Sequence, residues 1–180
     1  MMDFCIPVVS VVGRGDSGRT TFLEGVIATL SSRGWRVATA KNHAHETDID
    51  VPGKDTWRHE RAGAVVTMVS APNRFGIIRR VDSARTLAEL AAEAGDVDIL
   101  LTEGFRGSSP VLIEVVRAER SSEPTCAADE VLALVTDVPE LADCAAAVFA
   151  LDDARGVADL IEERFLGGPD ARRVASGGET

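Results

Sequence analysis

GRGDSGRT, running from Gly13 to Thr20 and followed by Thr21, has the residue types and spacing that point most directly to chemistry. Glycines at 13, 15 and 18 let backbone amides converge on oxyanions, and a helix opening near Thr20 would add its unsatisfied N–H groups. Spacing and setting match a Walker A phosphate loop, except that Arg19 stands where the pattern has lysine. Arginine is planar, bulkier and permanently charged, so it can neutralise phosphate without following the path of an ammonium group. Phosphate binding is the expected role of Gly13, Arg14, Gly15, Asp16, Ser17, Gly18, Arg19, Thr20 and Thr21; efficient hydrolysis is less expected. Thr20 supplies the hydroxyl suited to Mg²⁺, and Thr21 one for a more proximal phosphate. The alternative is a glycine-rich turn whose threonines only cap a helix.

A second acidic element is VDILLTEGF, in which a hydrophobic strand over 97–101 delivers Glu103 and Gly104 to its C-terminal end. In a parallel sheet that edge also carries the phosphate loop, so Glu103 is expected to face Mg²⁺ or its water, a solvated carboxylate being the alternative. Asp98, at the other end of the strand, reads as structural. His43, His45 and His59 fall in one region with Asp48 and Asp50, and HAHETDID raises a Zn²⁺ hypothesis. No familiar ligand spacing closes such a site. Asp48 or Asp50 at the nucleotide's Mg²⁺ is preferred, with loop hydrogen bonding as the alternative. In PGKDTWRHERAGA, a helix would put Lys54, Arg58 and Arg61 on one stripe, suited to phosphate, a second anionic substrate or an acidic partner face. Asp55 and Glu60 interleave with these cations, so a solvated face is the competing reading. Trp57 reads as a packing or interface residue.

These groups need elements to hold them, and the chain alternates β-branched runs with helical ones. Strands are expected over 7–12, 35–40, 97–101, 112–116, 131–135 and 147–149, and helices over 20–32, 55–62, 87–94 and 154–165. Continuously apolar strands separated by helices indicate an α/β fold with a mostly parallel sheet covered on both faces. A further apolar run, AVVTMV, begins at Ala64, and the stretch 73–80 suggests an antiparallel strand or hairpin attached to that sheet. One phosphate-loop domain over 1–166 is expected, with a mobile tail over 167–180 that lacks any means of burying itself.

Composition narrows the function. The chain has 180 residues, 45% of them hydrophobic, enough for one core. With 19 Lys and Arg against 29 Asp and Glu, the formal charge is -10, which argues against coating nucleic acid. Two tryptophans and no tyrosine weaken that reading further. Cys5, Cys126 and Cys144 are widely spaced and odd in number, which suggests reduced thiols and no disulfide scaffold. No apolar run reaches the ~18 residues of a membrane span, and MMDFCIPVV lacks a basic leader, so no membrane association and a cytoplasmic location are expected.

Together, the degenerate Walker loop, DIDVPGKDTWRH, AGA, VDILLTEGF, PVLIEVVR, LALVTDVP and VFALDDARGVADLI resemble the molybdopterin-guanine dinucleotide biosynthesis protein B (MobB) family over roughly residues 7–166. The resemblance implies a P-loop fold binding GTP with Mg²⁺. It also implies a homodimeric adaptor with weak GTPase activity that assists the guanylyltransferase joining GMP to molybdopterin. Phosphate contacts fall on the loop residues above, and Glu103 on the metal side. Asp50, Gly53, Lys54 and Asp55 match the family's central loop, suited to pterin handling, nucleotide sensing or contact with the transferase or a molybdoenzyme. The chain departs from the family at Arg19, commonly lysine, and at Asn42, commonly histidine. Thr136 and Asp137 end a strand where a guanine edge could be read: an Asp carboxylate accepts from N1–H and the N2 amine, and adenine offers no matching donors. A turn or helix cap is the alternative. Slow water attack on the γ-phosphate, with Arg19 offsetting charge and Glu103 or Asp50 organising metal and water, is the expected chemistry. A non-hydrolysing nucleotide-responsive adaptor and a P-loop small-metabolite kinase remain the alternatives.

Overall fold

VVSVV, ILLTE, LIEVV and ALVT are fully buried runs, and each forms a strand. The computed structural model describes residues 4–43, 45, 47–142 and 147–167. Residues 168–180 of the expected tail and Cys144 lie outside these. The chain divides into two compact units, Met1–Asn42 with Thr86–Thr180, and His43–Arg85.

The larger unit holds a six-stranded parallel sheet in the order β2-β5-β1-β6-β7-β8. Its strands are β1 (Val8–Val12), β2 (Val37–Lys41), β5 (Ile99–Glu103), β6 (Leu112–Val116), β7 (Ala133–Thr136) and β8 (Ala147–Phe149). Side chains alternate between the faces. Val9, Val11, Ile99, Leu101, Ile113, Val115, Ala133 and Val135 share a core with α1 (Arg19–Ser32) and α4 (Ala154–Phe165). Val8 and Leu100 instead pack with Leu87 and Ala91 of α3 (Leu87–Glu93). A capping box between Thr86 and Glu89 starts α3. The chain leaves β1 toward β2 on one side of the sheet and reaches β6 on the other. Connections therefore diverge beside the C-terminal ends of β1 and β6, where ligands of open α/β sheets bind.

A buried carboxylate fixes the far end of α1: Glu162 of α4 accepts from Trp35 Nε1 at 2.5 Å and from the Arg33 guanidinium at 2.7 Å. Asp98 accepts the backbone N–H of Arg36 at 2.6 Å, a structural contact where β2 and β5 begin. Cys5 and Cys126 are free thiols. No helix among the described residues is long and apolar enough to cross a membrane.

The smaller unit contains α2 (Asp55–Arg61) and the antiparallel pair β3 (Val66–Ala71) and β4 (Arg74–Arg79). The hairpin forms, but as a two-stranded sheet of its own, which corrects its expected attachment to the parallel sheet. Its residues pair only with each other, from Val66 opposite Arg79 to Ala71 opposite Arg74.

Candidate functional site

The phosphate-loop sequence joins β1 to α1, and its glycines have distinct geometric causes. Gly13 has φ +141°, and a Cβ there would lie 2.4 Å from the Val115 carbonyl oxygen. The loop thus crosses β6 at backbone contact, which no larger residue permits. Gly18 caps α1 with a left-handed φ of 91° and ψ of 14°. Asp16 also takes a positive φ, 58°, and its carboxylate lies 3.7 Å from Arg120. The Ser17 amide donates to the Arg14 carbonyl at 3.3 Å, tightening the turn.

Parallel pairing of β1 with β5 sets Val11 beside Glu103, and pairing of β2 with β5 sets Lys41 beside the same residue. Glu103 is 7% exposed and the focus of the rim. Thr20 Oγ1 donates to its Oε2 at 2.8 Å, Lys41 Nζ lies 3.3 Å from Oε2, and Arg19 Nη2 lies 3.8 Å from Oε1. Burial pushes the Glu103 carboxyl up. The Thr20 hydrogen bond, the hydrogen bond and charge of Lys41, and the charge of Arg19 outweigh that, holding it below its ordinary value of 4.5. A hydroxyl and an ionised carboxylate in contact form a hard-oxygen pair of the kind that serves Mg²⁺ together with phosphate oxygens. Among the described residues no group of three His, Cys, Asp or Glu is placed to hold a metal unaided.

The structure therefore brings Arg19, Thr20 and Glu103 together. Thr21 is exposed on the first turn of α1. Lys41 carries no signal of a site residue in the sequence, because only the sheet order sets it beside Glu103. At the end of β7, Thr136 Oγ1 accepts the Val138 amide at 3.0 Å, and Asp137 Oδ1 accepts the Ala118 amide at 2.7 Å. Asp137 thereby ties β7 to the turn after β6.

In the smaller unit, Asp50 Oδ1 accepts the Val51 amide at 2.7 Å, while its Oδ2 is buried without a partner. Lys54 is the N-cap of α2 and Asp55 lies in its first turn, where a negative charge suits the helix dipole. Arg58 is exposed in the last turn. Arg61 lies 3.3 Å from Asp48 and stacks over Trp57 with 5.1 Å from the guanidinium carbon to the ring centroid. The expected basic stripe is thus partly spent within its own unit, and Trp57 serves it as a packing face. His43, His45 and His59 are exposed.

The model of the molybdopterin guanine dinucleotide synthesis protein B family, MobB, matches residues 8–137. The chain belongs to this family. Among its relatives, the molybdopterin-guanine dinucleotide biosynthesis adapter protein of Escherichia coli K12 is 30% identical over 164 residues, 88% of this chain and 93% of that one. The adapter protein of the same name from Haemophilus influenzae is 31% identical over 137 residues, covering 74% and 76%. The crystal structure of Bacillus subtilis MobB superposes with a TM-score of 0.71 at 25% identity, covering 89% of this chain and 98% of that one. The match spans the phosphate loop, Lys41, Glu103 and Asp137.

Proposed function

We propose that this chain is a Mg-GTP-binding adaptor in molybdopterin-guanine dinucleotide synthesis, assisting the guanylyltransferase that joins GMP to molybdopterin. The observation that carries the nucleotide reading is the contact of Thr20 with Glu103 beside a loop opened by Gly13 and Gly18. The loop amides and the start of α1 receive phosphate, and Thr20 and Glu103 are the groups that would hold Mg²⁺. The metal, when bound, supplies charge neutralisation between terminal phosphates. Asp137, whose Oδ1 accepts the Ala118 amide, is the carboxylate that would read a guanine edge.

Turnover is weak or absent, because Arg19 stands where a Walker A loop has the lysine that reaches the β- and γ-phosphates. This favours an adaptor whose bound nucleotide governs a partner contact over a fast GTPase. Lys54, Arg58 and Arg61, with Asp55 interleaved among them, belong to the contact with an anionic partner or with molybdopterin. The working species is a cytoplasmic homodimer, supported by the exposed Met68, Phe75 and Ile77 on one face of the hairpin.

Calorimetric titration of GTP, GDP and ATP, each with and without Mg²⁺, tests the reading. Guanine-selective, Mg²⁺-dependent binding is expected. A folded sample that binds none of the three would overturn it.

A further inference from the structure

Arg117 begins the turn after β6, inside the PVLIEVVR stretch, and none of the roles above uses it. Its guanidinium packs against the open side of Gly18: a Cβ there would lie 2.9 Å from Nη2 and 3.6 Å from Nε. The Nε is buried and has no hydrogen-bond partner. Arginine cannot shed its proton to relieve that cost, so the buried Nε–H calls for an acceptor oxygen, which an anion supplies together with a counter-charge. Ser17, beside it on the loop, is 2% exposed, and its Oγ likewise lacks a partner.

Both residues line one shallow cleft with Arg14, Arg120 and Ser121, at the C-terminal end of β6. Glu114 and Glu123 also line it. Glu114 is already committed: Oε1 accepts from the Thr125 amide at 2.6 Å and hydroxyl at 2.5 Å, and Oε2 from the Cys126 amide at 3.0 Å. That carboxylate braces the 117–126 segment. The next residue, Ala118, is held by Asp137. A ligand running from the loop toward Asp137 would therefore pass Arg117. On the other side of the loop, Arg19 and Lys41 both lie on Glu103.

We propose that Arg117, with Ser17 beside it, contacts a phosphate ester or anhydride group seated between the phosphate loop and the end of β6. The inference rests on the nucleotide reading for the source of that phosphate. A second phosphorylated substrate has the same chemistry.

Wild type, Arg117→Gln and Arg117→Lys are titrated with GTP, with inorganic pyrophosphate, and with pyrophosphate after saturation by GTP. For Arg117→Gln, at least tenfold weaker GTP binding is expected, with Arg117→Lys intermediate because it keeps the charge and loses the fork. If GTP binding is unchanged in Arg117→Gln but pyrophosphate no longer binds the GTP-saturated protein, a second phosphorylated substrate is the source. Arg117-dependent pyrophosphate binding by a wild type that ignores GTP would remove the nucleotide reading and leave this inference standing. Arg117→Gln binding GTP and pyrophosphate like wild type overturns the inference alone, and a wild type that binds neither overturns both. Should Arg117→Gln fail to fold, arginine labelling of wild type by phenylglyoxal, read by mass spectrometry, decides. Protection of Arg117 by GTP or pyrophosphate is expected, and unchanged labelling overturns the inference.

Discussion

The parallel sheet of the larger unit is covered on both faces by apolar cores, and its central strands leave no residue exposed. In His43–Arg85 the only described residue that is buried is Thr67, while Val65, Met68, Val69, Phe75, Ile77 and Val81 are exposed. A two-stranded hairpin is marginal in water by itself. The larger unit can therefore hold its rim side chains to close tolerance, because Glu103 sits on β5, paired on both sides by β1 and β2, and Arg19 and Thr20 open a helix packed on the sheet. The smaller unit presents apolar and charged groups on a light scaffold, which suits recognition by another molecule better than catalysis.

Three substitutions probe that contrast. Ile113→Ala removes a fully buried side chain from β6 and is expected to cost about 3 kcal/mol in chemical denaturation. Lys41→Met acts on the rim. Glu103 ionisation contributes stability that is full above its unfolded value of 4.5 and is lost as pH falls through the lower folded value. Without Lys41 the folded value rises, so the acid-side loss becomes shallower, and neutral stability falls by only about 0.5 kcal/mol because Lys41 is half exposed. An unchanged acid limb would mean that Thr20 and Arg19 alone hold the carboxylate. Ile77→Ala, in the hairpin, is expected within about 0.5 kcal/mol of wild type, with weakened self-association by analytical ultracentrifugation. A cost for Ile77→Ala equal to that for Ile113→Ala would erase the distinction between the units.

Much of this was legible in advance. Strands over 112–116 and 147–149 and the helix over 154–165 fall where apolar runs and periodicity put them. The strand expected over 97–101 forms two residues later, so Glu103 closes β5 as its last residue. The hairpin was legible from turn residues at Pro72 and Asn73, but its sheet membership was not, since pairing partners far apart in the chain leave no local signal. The same limit hid Arg117, whose sequence neighbours say nothing about Gly18.

The sequence by itself determined the glycine-rich loop between β1 and α1, the alternation of buried strands and helices, and the family, because glycine spacing, hydrophobic period and compound motifs are local properties of the chain. Tertiary structure alone decided that Lys41, Arg19 and Thr20 converge on Glu103, that Asp137 braces the turn after β6, and that Arg117 lies against Gly18. Those contacts depend on strand order and register, which bring together residues from 19 to 99 positions apart, and no spacing along one strand encodes them.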